Sequence, residues 1–246
     1  MSPRRCLAAG IAALALTTTA LATMAGAHEF MIVPGADGTV DLIMTEAYIV
    51  PDRVPPMAAT QLELIADGRR TVLDLSAGTD RLTARPGEIP GPAVLAASMI
   101  RDRMEAPRVA PGMPAAAPRM TRSAAYSKSW PAGDAGDALW SQPVGSRLEI
   151  MPLTNPAALK AGDELPVRVL FDGRPVPAMV QATYDDDGRE GHGFVIRTTA
   201  DAEGLARLVL DRPGLWVVRT KHGVDEHRDG YVRFNGGANL VFAVAP

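Results

Sequence analysis

Hydrophobic periodicity is the feature that most constrains this chain. Beyond residue 27, apolar side chains recur at every second position or in short runs. The segments 39–47, 61–66, 93–100, 147–151, 165–171, 179–184, 193–198, 206–210, 215–220 and 239–244 all read this way. A period of two puts alternate side chains into a core and the rest toward solvent, as a strand does. Asp67-Gly68, Asp172-Gly173, Asp187-Gly188 and Pro213-Gly214 punctuate the pattern with residue pairs that suit tight turns. Many short strands at intervals of roughly 8–12 residues predict an all-β sandwich.

Two stretches break the pattern. Residues 101–106 read as a short helix, after which Pro107, Pro111, Pro114 and Pro118 interrupt anything regular. The Pro/Met-rich segment is expected to be a long exposed excursion. A second excursion is expected over 131–141. There is also an internal echo. Residues 88–95 and 211–218 each carry a Pro-Gly turn feeding an apolar strand. The echo points to two sandwich domains of related build, 28–146 and 147–246.

Residues 1–27 read as a secretory signal peptide. Arg4 and Arg5 precede an apolar run rich in Ala and Leu, and Ala25-Gly26-Ala27 supplies small residues for cleavage. The run is short for a bilayer span, which needs roughly 20 apolar residues. The expectation is therefore export to the periplasm, a mature chain starting at His28, and no membrane span after cleavage. Cys6, the single cysteine, leaves with the signal. The mature chain then has no disulfide and no thiolate ligand. Losing Arg4 and Arg5 takes the basic count from 25 to 23 against 28 acidic residues. With that acidic balance and scattered charge, nucleic acid is not an expected partner.

All four histidines, His28, His192, His222 and His227, fall in the mature chain. Cleavage after Ala27 would make His28 the first residue, so that its α-amine and its imidazole chelate one ion together. That amine has a reference pKa of about 7.7–8.0 and yields its proton to a metal at little cost. Nickel, cobalt, copper and zinc favour such nitrogen donors. His222 and His227 stand five apart behind the strand 215–220, with Asp225, Glu226 and Asp229 nearby as ligands or orienting groups. His192 lies in a loop dense in acids and glycine. The rival reading makes each a solvated side chain. The acidic run Asp185-Asp186-Asp187-Gly188 lacks the register of a calcium loop.

Nothing in the chain matches a nucleophile elbow, a phosphate-cradling glycine loop or a paired-histidine zinc helix. A binding protein, not an enzyme, is expected. Met99, Met104, Met113 and Met120 gather around the proline-rich excursion; thioethers suit Cu(I), and they equally suit loop packing.

Longer runs carry a family resemblance. His28-Glu29-Phe30 follows the signal directly, and 148–156 (LEIMPLTNP), 159–176 (LKAGDELPVRVLFDGRPV), 199–206 (TADAEGLA) and 212–218 (RPGLWVV) are the marker runs. In these the chain resembles the exported bacterial domain-of-unknown-function 4198 family, often labelled the periplasmic component of a cobalt/nickel uptake system. The likeness is close over the last hundred or so residues and reaches the first half in outline only. Met31 and Ile32 stand where the family start usually has Trp and Leu. The likeness implies two immunoglobulin-like β-sandwich domains, a link to transition metals and a membrane metal transporter as partner. In the same likeness His28 resembles the family's opening residue, and His222 one that often follows the last long strand. The leading expectation is thus a periplasmic nickel- or cobalt-binding protein using His28, His222, His227 and His192. A copper-handling protein with a terminal-histidine site, and an adhesive or structural β-sandwich without metal, are the alternatives.

Overall fold

A computed structural model describes residues 28–46, 49–89, 91–106, 109–110, 112–114, 116–130, 139–185 and 193–246. The expected signal peptide, His192, the expected turn Asp187-Gly188 and parts of both expected excursions lie outside the described residues.

The chain is all-β, with sandwich-like packing of three sheets. The first sheet has the order β1-β2-β6-β5, from β1 (Glu29–Pro34), β2 (Val40–Thr45), β5 (Ser76–Ala77) and β6 (Arg81–Ala84). The second has the order β11-β10-β14, from β10 (Glu164–Phe171), β11 (Arg174–Pro175) and β14 (Leu205–Val209), and β9 (Leu148–Pro152) also pairs with β10. The third is eight-stranded, β13-β12-β15-β16-β8-β7-β3-β4. It comprises β3 (Thr60–Ala66), β4 (Arg69–Val72), β7 (Ala93–Glu105), β8 (Arg119–Ser129), β12 (Met179–Tyr184), β13 (Ile196–Thr199), β15 (Gly214–Arg228) and β16 (Tyr231–Val244).

Among the described residues, three two-residue hairpin turns use a pair that tolerates positive φ. Asp67-Gly68, Asp172-Gly173 and Asp229-Gly230 all have both residues at φ between 47° and 83°, the conformation of a two-residue primed turn. The first two were legible as turns from composition alone. The expected helix over 101–106 is not formed. Residues 101–105 instead extend β7, in antiparallel register with β8 from Leu95↔Ser129 to Glu105↔Arg119. Arg, Met and Glu favour helix locally, but the ladder to β8 fixes them as strand. In the same way the strand 215–220 runs on to Arg228, so His222 and His227 lie in a strand and not behind one.

The large sheet serves two cores. On one face Phe30, Leu42, Leu62, Leu82, Leu95 and Met99 pack together beneath the β1–β2 hairpin. On the other face Trp216, Val218, Phe234 and Leu240 pack against Val167, Val169 and Leu165 of β10. The halves are joined by parallel pairing of β8 with β16, from Arg233↔Thr121 to Val241↔Ser129. A buried ion pair reinforces the junction: Lys128 donates to Glu149 at 2.8 Å, each side chain 4% exposed. Gln142 O and Val144 N satisfy the rest of that pair, as burial demands.

β1 is buried on both faces, with Phe30 and Ile32 on the side of β7 and Met31 and Val33 on the side of Val217 and Val241. Two side chains from the sheet below bond its backbone. Ile32 N–H donates to Ser127 Oγ at 3.0 Å, and Asn239 Nδ2 donates to Phe30 O at 2.8 Å. These bonds satisfy backbone groups that pairing with β2 leaves free. Among the described residues no helix is long and apolar enough to cross a membrane.

Candidate metal centre

Hairpin register builds the site. β1 and β2 pair from Glu29↔Thr45 to Pro34↔Val40, and continuing that register sets His28 opposite Glu46. The chain then turns back, with Asp52 N–H donating to Met44 O at 3.0 Å and Arg53 bridging Met44. The return brings Asp52 to the same imidazole. His28 Nε2 lies 3.2 Å from Glu46 Oε1 and 3.1 Å from Asp52 Oδ2. The three donor atoms all fall within 4.8 Å of one another.

Nε2 is buried and makes no hydrogen bond of acceptable geometry, although two carboxylate oxygens stand close to it. Donors at about 2.0–2.2 Å from one ion are separated by about 3.0 Å in an octahedron and about 3.4 Å in a tetrahedron. The observed separations from Nε2 fit such an edge. One imidazole and two carboxylates suit a borderline divalent ion, since nitrogen draws Zn, Ni and Co while oxygen donors alone suit Mg and Ca. Of the four histidines named from the sequence, only His28 belongs to this donor set, and its partners are Glu46 and Asp52.

The expected ligands fall as follows. His222 does not reach His28. Successive strand residues face opposite sides, and Lys221 Nζ meets Glu29 of β1 at 2.8 Å while His222 stacks on Phe171 of β10 at 4.5 Å. The eight-stranded sheet separates the two histidines. Burial, helped by the Arg147 charge, lowers the His222 pKa below the ordinary value. His227 is exposed at the bulge between Asp225 and Arg228. His192 lies outside the described residues.

Sequence reasoning missed Glu46 and Asp52. The register of the hairpin held the signal for Glu46, hidden because 29–34 had not been read as a strand. Asp52 gave none, since only the fold of the return segment brings it in.

A cavity of about 330 Å³ opens beside His28. Its floor is the large sheet, through Ser123 of β8 and Asn235, Gly236 and Asn239 of β16; its rim carries Arg53, Arg101, Arg103 and Lys221. Glu29 at its head is held by Arg219 and Lys221.

A family model described as a domain of unknown function (DUF4198) matches residues 25–223. No curated protein matches the chain. Among solved structures, the D0-D1 domain of Intimin is similar over 87% of this chain and 97% of that one, at 14% identity. Its TM-score is 0.23, and at that value it carries no argument.

Proposed function

We propose, from the premise that this chain belongs to the DUF4198 family, that it is an exported divalent-metal-binding protein and not an enzyme. His28, Glu46 and Asp52 hold the ion. The supporting observation is a buried imidazole nitrogen that faces two carboxylate oxygens at 3.1 and 3.2 Å without a hydrogen bond. Removal of the leader after Ala27 adds the α-amine of His28 as a further nitrogen donor. That addition shifts preference toward nickel, cobalt, copper and zinc over calcium and magnesium.

In this reading the protein collects nickel or cobalt in the periplasm and passes it to a membrane transporter. Two features suit transfer. Glu46 is 58% exposed, so one ligand can be exchanged from solvent. The opposing imidazole is 13% exposed and stays with the fold.

Calorimetric titration of the mature protein with Ni(II), Co(II), Cu(II) and Zn(II) tests the assignment. One site is expected, lost in His28→Ala and weakened about tenfold or more in Asp52→Asn. Cu(II) binding tighter than Ni(II) is expected of any such nitrogen site and does not choose between cargoes. Equal binding by the parent and His28→Ala would sink the reading.

A further inference from the structure

The cavity beside His28 holds positive charge that the protein itself leaves unmet. β7 carries Arg101 and Arg103 two residues apart, so both project from one face of the sheet. Asp102 between them points to the other face, where Arg122 holds it bidentately at 2.8 Å. It is therefore not available to either neighbour. Neither Arg101 nor Arg103 forms an ion pair among the described residues, and Arg101 Nε is buried with no hydrogen-bond partner. Arg53 stands on the same cavity, its only carboxylate contact among the described residues being 3.6 Å from Asp52. Burial lowers the Arg101 pKa, and the charges of Arg103 and Arg53 lower it further. A guanidinium desolvated among other cations is costly unless an anion compensates it.

We propose that this cavity receives a small organic polycarboxylate, which meets Arg101, Arg103 and Arg53 and lies against the ion held by His28. The metal is then carried as an anionic chelate. The metal half of this statement rests on the function proposed above; the anion half does not.

Geometry favours a polycarboxylate over a single phosphate. Two strand residues apart is about 7 Å between the roots of the Arg101 and Arg103 side chains, a span for two anionic groups. Carboxylate suits the guanidinium fork, which donates two parallel hydrogen bonds. The volume of about 330 Å³ lies at the lower end of small-molecule sites, roughly 300–1,000 Å³. Asn239 is among the residues lining the cavity, and its Oδ1 is buried and without a donor among the described residues. Its amide nitrogen is already committed to Phe30 O, so the oxygen is the free end.

Citrate is the probe. It is titrated calorimetrically into the metal-free protein, into Arg103→Gln and into Arg101→Gln/Arg103→Gln, with inorganic phosphate in parallel. Citrate is expected to bind the parent, about tenfold more weakly to the single variant, and not measurably to the double variant. Arg103 is exposed, so the single variant reports even if the double variant fails to fold. Equal citrate binding by the parent and Arg103→Gln overturns the proposal, and so does phosphate binding as tightly as citrate. Ni(II) alone, titrated into the same proteins, separates the two readings. Ni(II) binding without citrate binding leaves the metal site and removes the anion site. Arginine-dependent citrate binding without Ni(II) binding does the reverse.

Discussion

Two arginine-centred regions lie on opposite faces of the same sheet, and they are built differently. Around Arg147 every charge is answered. Its guanidinium donates to both oxygens of Glu226 at 2.5 and 2.7 Å, to Asp172 at 2.9 and 3.1 Å, and to Tyr231. The Phe171 and Phe234 rings cover its faces at 4.8 and 4.2 Å. Around Arg101 the guanidinium meets no carboxylate among the described residues, and the charges that act on it, Arg103 and Arg53, have the same sign. A closed network of this kind stabilises the fold, whereas an open one stores electrostatic cost where a ligand can relieve it. Exposure alone would not separate the two; the accounting of partners does.

The sharpest way to break the contrast is Arg147→Ala. It removes the main partner of Glu226, which among the described residues keeps only the Tyr231 hydroxyl, uncovers the Phe171 and Phe234 rings, and is expected to cost about 2–3 kcal/mol of unfolding free energy, read from urea melts. A loss as small as that of an exposed ion pair would put the two arginines on one footing. Next in size is Gly236→Ala. A Cβ there would stand 2.6 Å from the Phe234 ring and 3.3 Å from Leu148, on the Arg147 face. Overpacking of this kind costs about 1–3 kcal/mol, and the metal titration should survive it. Arg101→Met is expected to leave stability within about 1 kcal/mol of the parent, or to raise it, since it removes a desolvated charge from beside two others. A large loss would show that Arg101 has a structural partner after all.

The smallest effect concerns His222. Its folded pKa is lowered below 6.5 by burial first, then by Arg147, with Asp172 opposing. As pH falls through 6.5 the unfolded chain binds a proton that the folded imidazole refuses, so stability is lost on acidification. Replacing His222 with Phe keeps the stack on Phe171 and should flatten that decline, measured by urea unfolding above and below this value. An unchanged slope would mean the imidazole titrates freely.

Much of the fold was legible because a two-residue period survives translation into strands. Residues 61–66, 165–171 and 179–184 fall inside β3, β10 and β12 or coincide with them. What escaped had a reason in each case. β8 is mostly Arg, Thr, Ser, Ala and Lys, several of them buried through polar contacts such as Ser127 to Ile32 N–H and Lys128 to Glu149, and so it carries no clear apolar alternation. The far ends of β7 and β15 are charged, which hid Arg101 and Arg103 in an expected helix and His222 in an expected loop. Extending β15 by parity from the sequence would have parted His222 from its neighbour Lys221, and hence from β1. His28 was found for its place behind the leader. Glu46 needed the register of a hairpin whose first strand, Phe30-Met31-Ile32-Val33, is apolar throughout, as a strand buried on both faces must be.

The clasp on β1 sets an order of events. Ser127 stands 95 positions beyond Ile32, and Asn239 stands 209 beyond Phe30. Contacts so remote in the chain close late, because loop closure must precede them. A strand near the beginning therefore waits for the last described strand, β16, before it can be seated, and His28 waits with it. If the proposed site holds a cation, its capture is thereby tied to completion of the polypeptide: a half-delivered chain has the imidazole but not the seated strand that positions it.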